Sequence, residues 1–259
     1  MLYFTKPGGA LLHGDCLEEM KRLPDNSVDM ILCDLPYGTT ACKWDTVIPF
    51  EPLWTEYKRV AKKNAAIVLT ASQPFTSSLV MSNPSWFKYQ WVWVKNRSTG
   101  HVHSKNRPMK RHEDICVFSE GNTLHEGQSA DRMPYFPQDT ILLPEGIFRR
   151  TRNDAGDDTT MSKRKSHKAT IATHTGYPES LIEFAIEMNQ ERSHPTQKPV
   201  ALFEYLIKTY TNEGAMVLDN CAGSGTTAIA CENLNRRWCC IEKEQEYCDV
   251  ILKRLGVGL

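Results

Sequence analysis

A glycine-rich loop near the C-terminal end of the chain constrains the topology of everything before it. Val217-Leu218-Asp219-Asn220-Cys221-Ala222-Gly223-Ser224-Gly225-Thr226-Thr227-Ala228 reads as a short apolar strand, a glycine loop and the start of a helix. Glycines let the backbone come close to a ligand, and the helix N-terminus behind them offers unpaired N–H donors. The next strand, from Trp238, ends in Glu242, placed to accept hydrogen bonds from two ribose hydroxyls. Gly223, Gly225 and Ala228 have the spacing of the dinucleotide fingerprint, so a nucleoside-containing ligand is expected here. Only 34 of the 259 residues follow Gly225, room for a helix, a strand and a helix. A sheet that began at this loop would need several more strands downstream. They can come only from the N-terminal half, so the sheet is expected to be circularly permuted, which disfavours an ordinary NAD-dependent enzyme.

The N-terminal half supplies those strands. Leu11 to Asp15 reads as a strand ending in Gly14-Asp15, followed by a brief helical pattern from Cys16 to Arg22. Turn residues Pro24 to Ser27 lead into an apolar strand, Val28 to Leu32. Leu53, Trp54, Tyr57, Val60 and Ala61 recur at helical spacing between Pro52 and Lys63; Ala65 to Thr70 is a buried strand, and Gln73-Pro74-Phe75 opens a short helix. Trp86 to Val94 and Asp114 to Phe118 are further strands. Residues 120–190 show little periodicity and are expected to form an irregular, substrate-facing insert. Regular structure returns with a helix over Pro199 to Tyr210, a strand from Ala215 to Asp219, a helix from Thr226 to Leu234 and a last helix from Gln245 to Leu255. The pattern is that of an α/β sheet with helices on both faces.

A hydrophobic content of 41% supplies a core, and a net charge of zero argues against a tail-driven nucleic-acid binder without excluding a local basic groove. Basic residues do cluster. Lys95, Arg97, Lys105, Arg107, Lys110 and Arg111 lie in one stretch with His101 and His103, Arg149, Arg150 and Arg152 in a second, and Lys163, Arg164, Lys165 and Lys168 in a third. One such run is usually a solvated face; three flanking or inside the insert point to a phosphate-binding groove. The nine cysteines form no Cys-x-x-Cys pair and no zinc-spaced cluster, so no metal is expected and a reducing compartment is. Met1 to Pro7 has no signal-peptide core and no apolar run is long enough to span a membrane; the expected location is the cytoplasm, with no membrane association.

Cys33-Asp34-Leu35-Pro36-Tyr37-Gly38 presents a carboxylate, a proline and an aromatic ring at the end of the Val28 strand, where open α/β sheets place their chemistry. Alone it is an ordinary strand end with an Asp turn. Together with Asp219-x-x-x-Gly223-x-Gly225 downstream and His194-Pro195-Thr196-Gln197-Lys198-Pro199 between them, it resembles the amino-group DNA methyltransferases. The likeness is to the permuted class, in which the catalytic motif precedes the recognition segment and the cofactor loop.

That resemblance implies one S-adenosylmethionine-dependent methyltransferase domain with a Rossmann-like sheet, its catalytic part in residues 1–119, a target-recognition insert in 120–190 and its cofactor part in 191–259. It implies methyl transfer to the N6 amino group of a flipped-out adenine in double-stranded DNA, since Asp at the first motif position goes mostly with adenine. Cytosine-N4 transfer and a catalytically silent DNA-binding protein of the same fold are the alternatives. Cytosine-carbon methylation is disfavoured because no Pro-Cys dipeptide is present.

By the same resemblance, Asp34, the Pro36 carbonyl and Tyr37 are catalytic. Asp15, Asp219, Ala222, Gly223, Gly225, Glu242 and Lys198 are the cofactor contacts. Lys105, Arg107, Lys110, Arg111, Arg149, Arg150, Lys163, Arg164 and Lys165 are the expected DNA contacts, and a homodimer is admitted. The exocyclic nitrogen is a poor nucleophile because its lone pair is delocalised into the ring; two acceptors aimed at its hydrogens favour the geometry in which the lone pair is free. Leu35 departs from the commoner proline of the motif, and Asn220-Cys221 from a frequent Pro-Phe pair.

Overall fold

A computed structural model describes residues 1–39, 45–123, 130–149, 170–186 and 197–258. In chain order the elements are β1 (Leu2–Lys6), β2 (Gly9–His13), α1 (Cys16–Met20), β3 (Val28–Asp34), α2 (Phe50–Val60), β4 (Ala61–Ala71), α3 (Phe75–Ser82), β5 (Phe87–Thr99), β6 (Lys110–Phe118), β7 (Ile141–Arg149), β8 (Thr170–Thr175), β9 (Leu181–Phe184), α4 (Val200–Tyr210), β10 (Met216–Asp219), α5 (Thr226–Asn233), β11 (Arg237–Glu242) and α6 (Gln245–Arg254).

Nine strands form one sheet in the order β1-β2-β11-β10-β3-β4-β6-β5-β9. The five strands from β2 to β4 run parallel, β6 is antiparallel to both its neighbours, and β1 is antiparallel to β2. The glycine-loop strand β10 therefore sits mid-sheet beside β3, although some 180 residues separate them in sequence. This is the permuted order inferred from the loop's late position.

Apolar side chains bury both faces, as a parallel sheet requires. Met30 and Leu32 of β3 join α4, α5 and α6 in one core, which holds Phe203, Leu206 and Ile251. Ile31 and Cys33 point the other way, into the core that α1, α2 and α3 build with Met20, Trp54, Tyr57 and Leu79. The near-continuous run of β3 is thus a two-sided signal.

Several boundaries differ from the sequence expectation, and β4, β5 and β6 all run longer than expected. α2 stops at Val60 rather than Lys63, because Ala61 pairs with Val28 and turns the chain directly into β4. β1 is an edge strand of mixed polarity, visible only through its ladder with β2. The span 120–190, expected to be irregular, contributes β9 to the main sheet, where Leu181-Ile182-Glu183-Phe184 pairs parallel to β5 and the Trp93 indole donates to the Phe184 carbonyl at 2.9 Å. Four residues with one buried side chain carry too little periodicity to be seen beforehand.

The chain divides into two compact units, Met1–Phe136 with Ser180–Leu259, and Pro137–Glu179. In the second, β7 and β8 form an antiparallel pair with Phe148 opposite Ile171. Among the described residues no helix is long and apolar enough to cross a membrane.

Candidate functional site

From β10 the chain proceeds to β11 on one side, and from β3 to β4 on the other. The crevice beyond the carboxyl ends of β10 and β3 is therefore a topological switch point. A cavity of about 760 Å³ opens there. Asp34, Pro36 and Tyr37 line it from the end of β3, Asp15 from beyond β2, Asp219, Ala222 and Gly223 from the β10 loop, Glu242 from β11, and Lys198 from the segment entering α4. Nearly every residue proposed for catalysis or cofactor binding meets in one space. Gly225 lies just behind it as the N-cap of α5, with φ +78°.

At the end of β3 the Asp34 carboxylate is held on both sides. Oδ1 accepts from the Thr70 hydroxyl and lies 2.8 Å from the Tyr37 hydroxyl, while Oδ2 accepts from Lys198 Nζ at 2.6 Å. Tyr37 therefore orients the carboxylate as well as presenting a ring, a task its sequence position did not disclose. One face of that ring is covered by Phe75, with centroids 5.2 Å apart and planes 27° apart. The following loop is clasped by Asp45, whose two carboxylate oxygens accept from Gly38 N–H at 2.8 Å and Thr39 N–H at 2.9 Å. Leu35 is 4% exposed and packs in the core that α1, α2 and α3 build, so an apolar side chain fills that place.

Lys198, which the resemblance assigned to the cofactor, makes its ion pairs with protein carboxylates. It contacts Asp34 and also lies 3.4 Å from Glu113 Oε2, and Glu113 Oε1 is paired with Lys95. Burial opposes charge on the Lys198 ammonium, but Asp34 and Glu113 outweigh it and hold its pKa above the usual value. Burial likewise favours a protonated Glu113, and Lys198 and Lys95 outweigh it, holding the carboxyl below its usual value. Lys95, the first member of the first basic run, is thus buried and neutralised rather than turned to solvent. No spacing rule would find Glu113; it reaches the site through the antiparallel pairing of β6 with β5.

On the cofactor side, the Glu242 carboxylate accepts from Gly223 N–H at 2.7 Å and Glu244 N–H at 2.9 Å, and burial raises its pKa against those hydrogen bonds. Each oxygen retains a lone-pair site for a ribose hydroxyl. Asp15 caps α1 by accepting from Leu17 N–H at 3.0 Å and borders the cavity as well. Both oxygens of Asp219 are engaged by the loop itself, from Cys221 N–H at 3.1 Å and the Thr227 hydroxyl at 2.5 Å, so its role in the structure is to shape the loop. Asn220, one of the departures, accepts from the buried Tyr57 hydroxyl at 2.6 Å and ties the loop to α2. Arg254 Nη1, unmarked in the sequence, donates to the Ser224 carbonyl at 2.6 Å from α6.

Burial pushes the Asp219 carboxyl up from 3.8 to about 6. The unfolded chain releases that proton near 3.8 and the folded chain near 6, so between these values the native state holds more protons. The stability this group contributes is present below pH 4 and is lost as pH rises towards about 6, a difference of about 3 kcal/mol. Asp219→Asn should remove this slope. Denaturant midpoints from pH 4 to 7 should converge for the two proteins at the acid end and diverge, with the variant favoured, towards pH 6; parallel curves would exclude it.

Of the expected DNA contacts in the first unit, Lys105 and Arg107 are exposed on the loop between β5 and β6. Lys110 is half-buried, donates to the Ser72 hydroxyl and borders the cavity, with burial lowering its pKa. Arg111 is exposed and its Nε donates to the Lys95 carbonyl at 3.1 Å. Arg149 ends β7 in the second unit. Arg150, Lys163, Arg164 and Lys165 lie outside the described residues, as do Arg152, Lys168 and His194 to Thr196. Among the described residues no three His, Cys, Asp or Glu side chains are grouped to hold a metal ion.

A strand-end carboxylate facing a glycine loop and a second strand-end acid, all at the switch point of a permuted sheet, define a nucleoside-cofactor enzyme of the α/β class. The chain belongs to the N6/N4 DNA methylase family, whose sequence profile matches residues 28–253. It is 28% identical over 261 residues to the type II methyltransferase M.HpaI of Haemophilus parainfluenzae, covering 95% of this chain and 73% of that one. It is also 28% identical over 272 residues to the DNA adenine methyltransferase YhdJ of Escherichia coli K12, covering 98% and 85%. Its fold is similar to that of M1.HpyAVI, solved as a complex with SAM, with a TM-score of 0.62 at 24% identity over 96% of this chain and 99% of that one.

Proposed function

We propose that the protein transfers a methyl group from S-adenosylmethionine to the exocyclic N6 amino group of adenine in double-stranded DNA. One observation carries this reading: the Asp34 carboxylate and the Glu242 carboxylate border the same cavity, one at the catalytic corner and one beside the glycine loop. The residues suit that cofactor. Glu242 offers carboxylate acceptors for a ribose diol, Asp15 stands on the adenine side, and Ala222 and Gly223 line the cavity with little or no side chain between them. When bound, S-adenosylmethionine supplies a methyl group activated on a sulfonium sulfur.

The protein's part is to present the nucleophile. Asp34 accepts one amino hydrogen and the Pro36 carbonyl the other, which favours the pyramidal nitrogen that forms as the methyl group arrives. Thr70 and Tyr37 fix the carboxylate so that little reorganisation remains at the moment of reaction. Lys105 and Arg107, exposed and unaccompanied by acids, supply phosphate contacts at the arm between β5 and β6. YhdJ is named as an adenine enzyme, and Asp34 at the first motif position agrees with that base. Cytosine-N4 transfer remains the second reading within the family.

Tritiated methyl transfer to duplex DNA, followed by nucleoside analysis, tests both. N6-methyladenine is expected; N4-methylcytosine would replace the base assignment, and no label in DNA at saturating cofactor would overturn the function.

A further inference from the structure

Behind the catalytic corner four charged side chains stand in an unbroken line: Asp34, Lys198, Glu113 and Lys95. Their side-chain exposures are 24%, 7%, 14% and 10% in that order. Lys198 Nζ is not centred between its two carboxylates, lying 2.6 Å from Asp34 Oδ2 and 3.4 Å from Glu113 Oε2. That Glu113 oxygen is buried and lacks a hydrogen-bond partner among the described residues. Its ion pair with Lys198 is long and makes no hydrogen bond, so the oxygen is a ready destination for the ammonium beside it.

The chemistry gives the ammonium a reason to move. Oδ1 of Asp34 already serves two hydroxyls, so the free capacity lies on Oδ2, where an incoming amino group would share the oxygen with the Lys198 ammonium. The attacking nitrogen gains positive charge as the methyl group arrives. A cation 2.6 Å from the accepting oxygen weakens that acceptor and repels the charge that develops.

We propose that Glu113 is a positioning residue that receives the Lys198 ammonium when the target amino group docks on Asp34. The lysine closes its gap to Glu113 Oε2 and leaves Asp34 Oδ2 to the substrate. The line then keeps two charges of each sign throughout, so base entry exposes no uncompensated charge in the interior. Lys198 stays protonated in either place, since Asp34 and Glu113 together outweigh its burial. Lys95 holds the other oxygen of Glu113 and keeps the carboxylate aimed. This inference rests on the proposed role of Asp34 as the acceptor of the amino group.

The test is a double-mutant cycle of Glu113→Gln and Lys198→Met in the full-length protein, read by single-turnover methylation of duplex DNA, by the Kd for S-adenosylmethionine and for the duplex, and by Tm. Glu113→Gln should slow methyl transfer by about twentyfold or more while both Kd values stay within about threefold. In the Lys198→Met background the same substitution should change the rate by less than about threefold, because no ammonium is left to relocate. Should Glu113→Gln alone fail to fold, the comparison of Lys198→Met with the double variant still decides, since the double variant retains one buried charge of each sign. Equal losses in both backgrounds that follow Tm would make Glu113 merely structural and overturn the proposal. So would wild-type rates in Glu113→Gln, or a tenfold weaker cofactor affinity in Lys198→Met, which would place the lysine on the cofactor. A wild-type protein that labels no DNA would instead overturn the proposed function, a result separable from all of these.

Discussion

Asp34→Ala should lower the single-turnover rate of methyl transfer by about a thousandfold or more, with S-adenosylmethionine affinity unchanged within a few-fold. The substitution removes the one anionic acceptor at the catalytic corner, and the Pro36 carbonyl alone cannot hold both amino hydrogens. Three donors lose their partner: the Thr70 hydroxyl, the Tyr37 hydroxyl and the Lys198 ammonium. The two hydroxyls lie close enough to pair with each other, 2.9 Å apart, and Lys198 retains Glu113. The stability cost is therefore expected to be modest, about 1–3 kcal/mol. Rapid-quench methylation, isothermal titration with the cofactor and a thermal melt on the same preparation separate these quantities. A variant that keeps a tenth of the wild-type rate would remove Asp34 from the mechanism.

The second large effect is structural in origin. Gly225 has φ +78°, and a Cβ built there would stand 2.7 Å from Ile251 Cγ1 and 3.0 Å from Cγ2. Ile251, on α6, is fully buried in the core. Gly225→Ala combines left-handed strain of about 1–2 kcal/mol with overpacking of about 1–3 kcal/mol. For a domain of this size Tm should fall by roughly 5–15 °C. The displaced N-terminus of α5 should also weaken S-adenosylmethionine binding by about tenfold or more. Differential scanning calorimetry with and without cofactor reads both; an unchanged Tm would show that Ile251 yields without cost. Gly214→Ala makes a useful control, because its φ is also positive, +74°, but nothing lies within 4 Å of an added Cβ.

The contrast between those two glycines shows where sequence reasoning stops. Both are turn glycines in the sequence. Only the packing of α6 against α5, brought about by a helix 26 residues further on, makes one of them irreplaceable by size as well as by backbone angle. Leu35 and Asn220 follow the same rule. As departures from a family motif they carried no stated consequence; in the structure Leu35 fills core and Asn220 accepts from Tyr57, a residue 163 positions away. Lys198 shows the reverse case, a residue expected at the cofactor that lines the cavity paired with Asp34 and Glu113.

By itself the sequence determined the strand–loop–helix around Gly223, the acid ending the next strand, the permuted order of the sheet and the presence of Asp34 at a strand end. These are local signals, apolar runs bounded by glycine and acids, taken in their order along the chain. The tertiary structure alone decided that the strand-end acids share one cavity, that Thr70, Tyr37 and Asp45 hold Asp34 and the loop after it, and that Asp34 and Glu113 neutralise Lys198 while Lys95 pairs with Glu113. Those contacts join residues from strands far apart in sequence, through a strand register that no single segment encodes. Their charge states are set by those partners against the burial that opposes charge, and both are properties of the assembled fold.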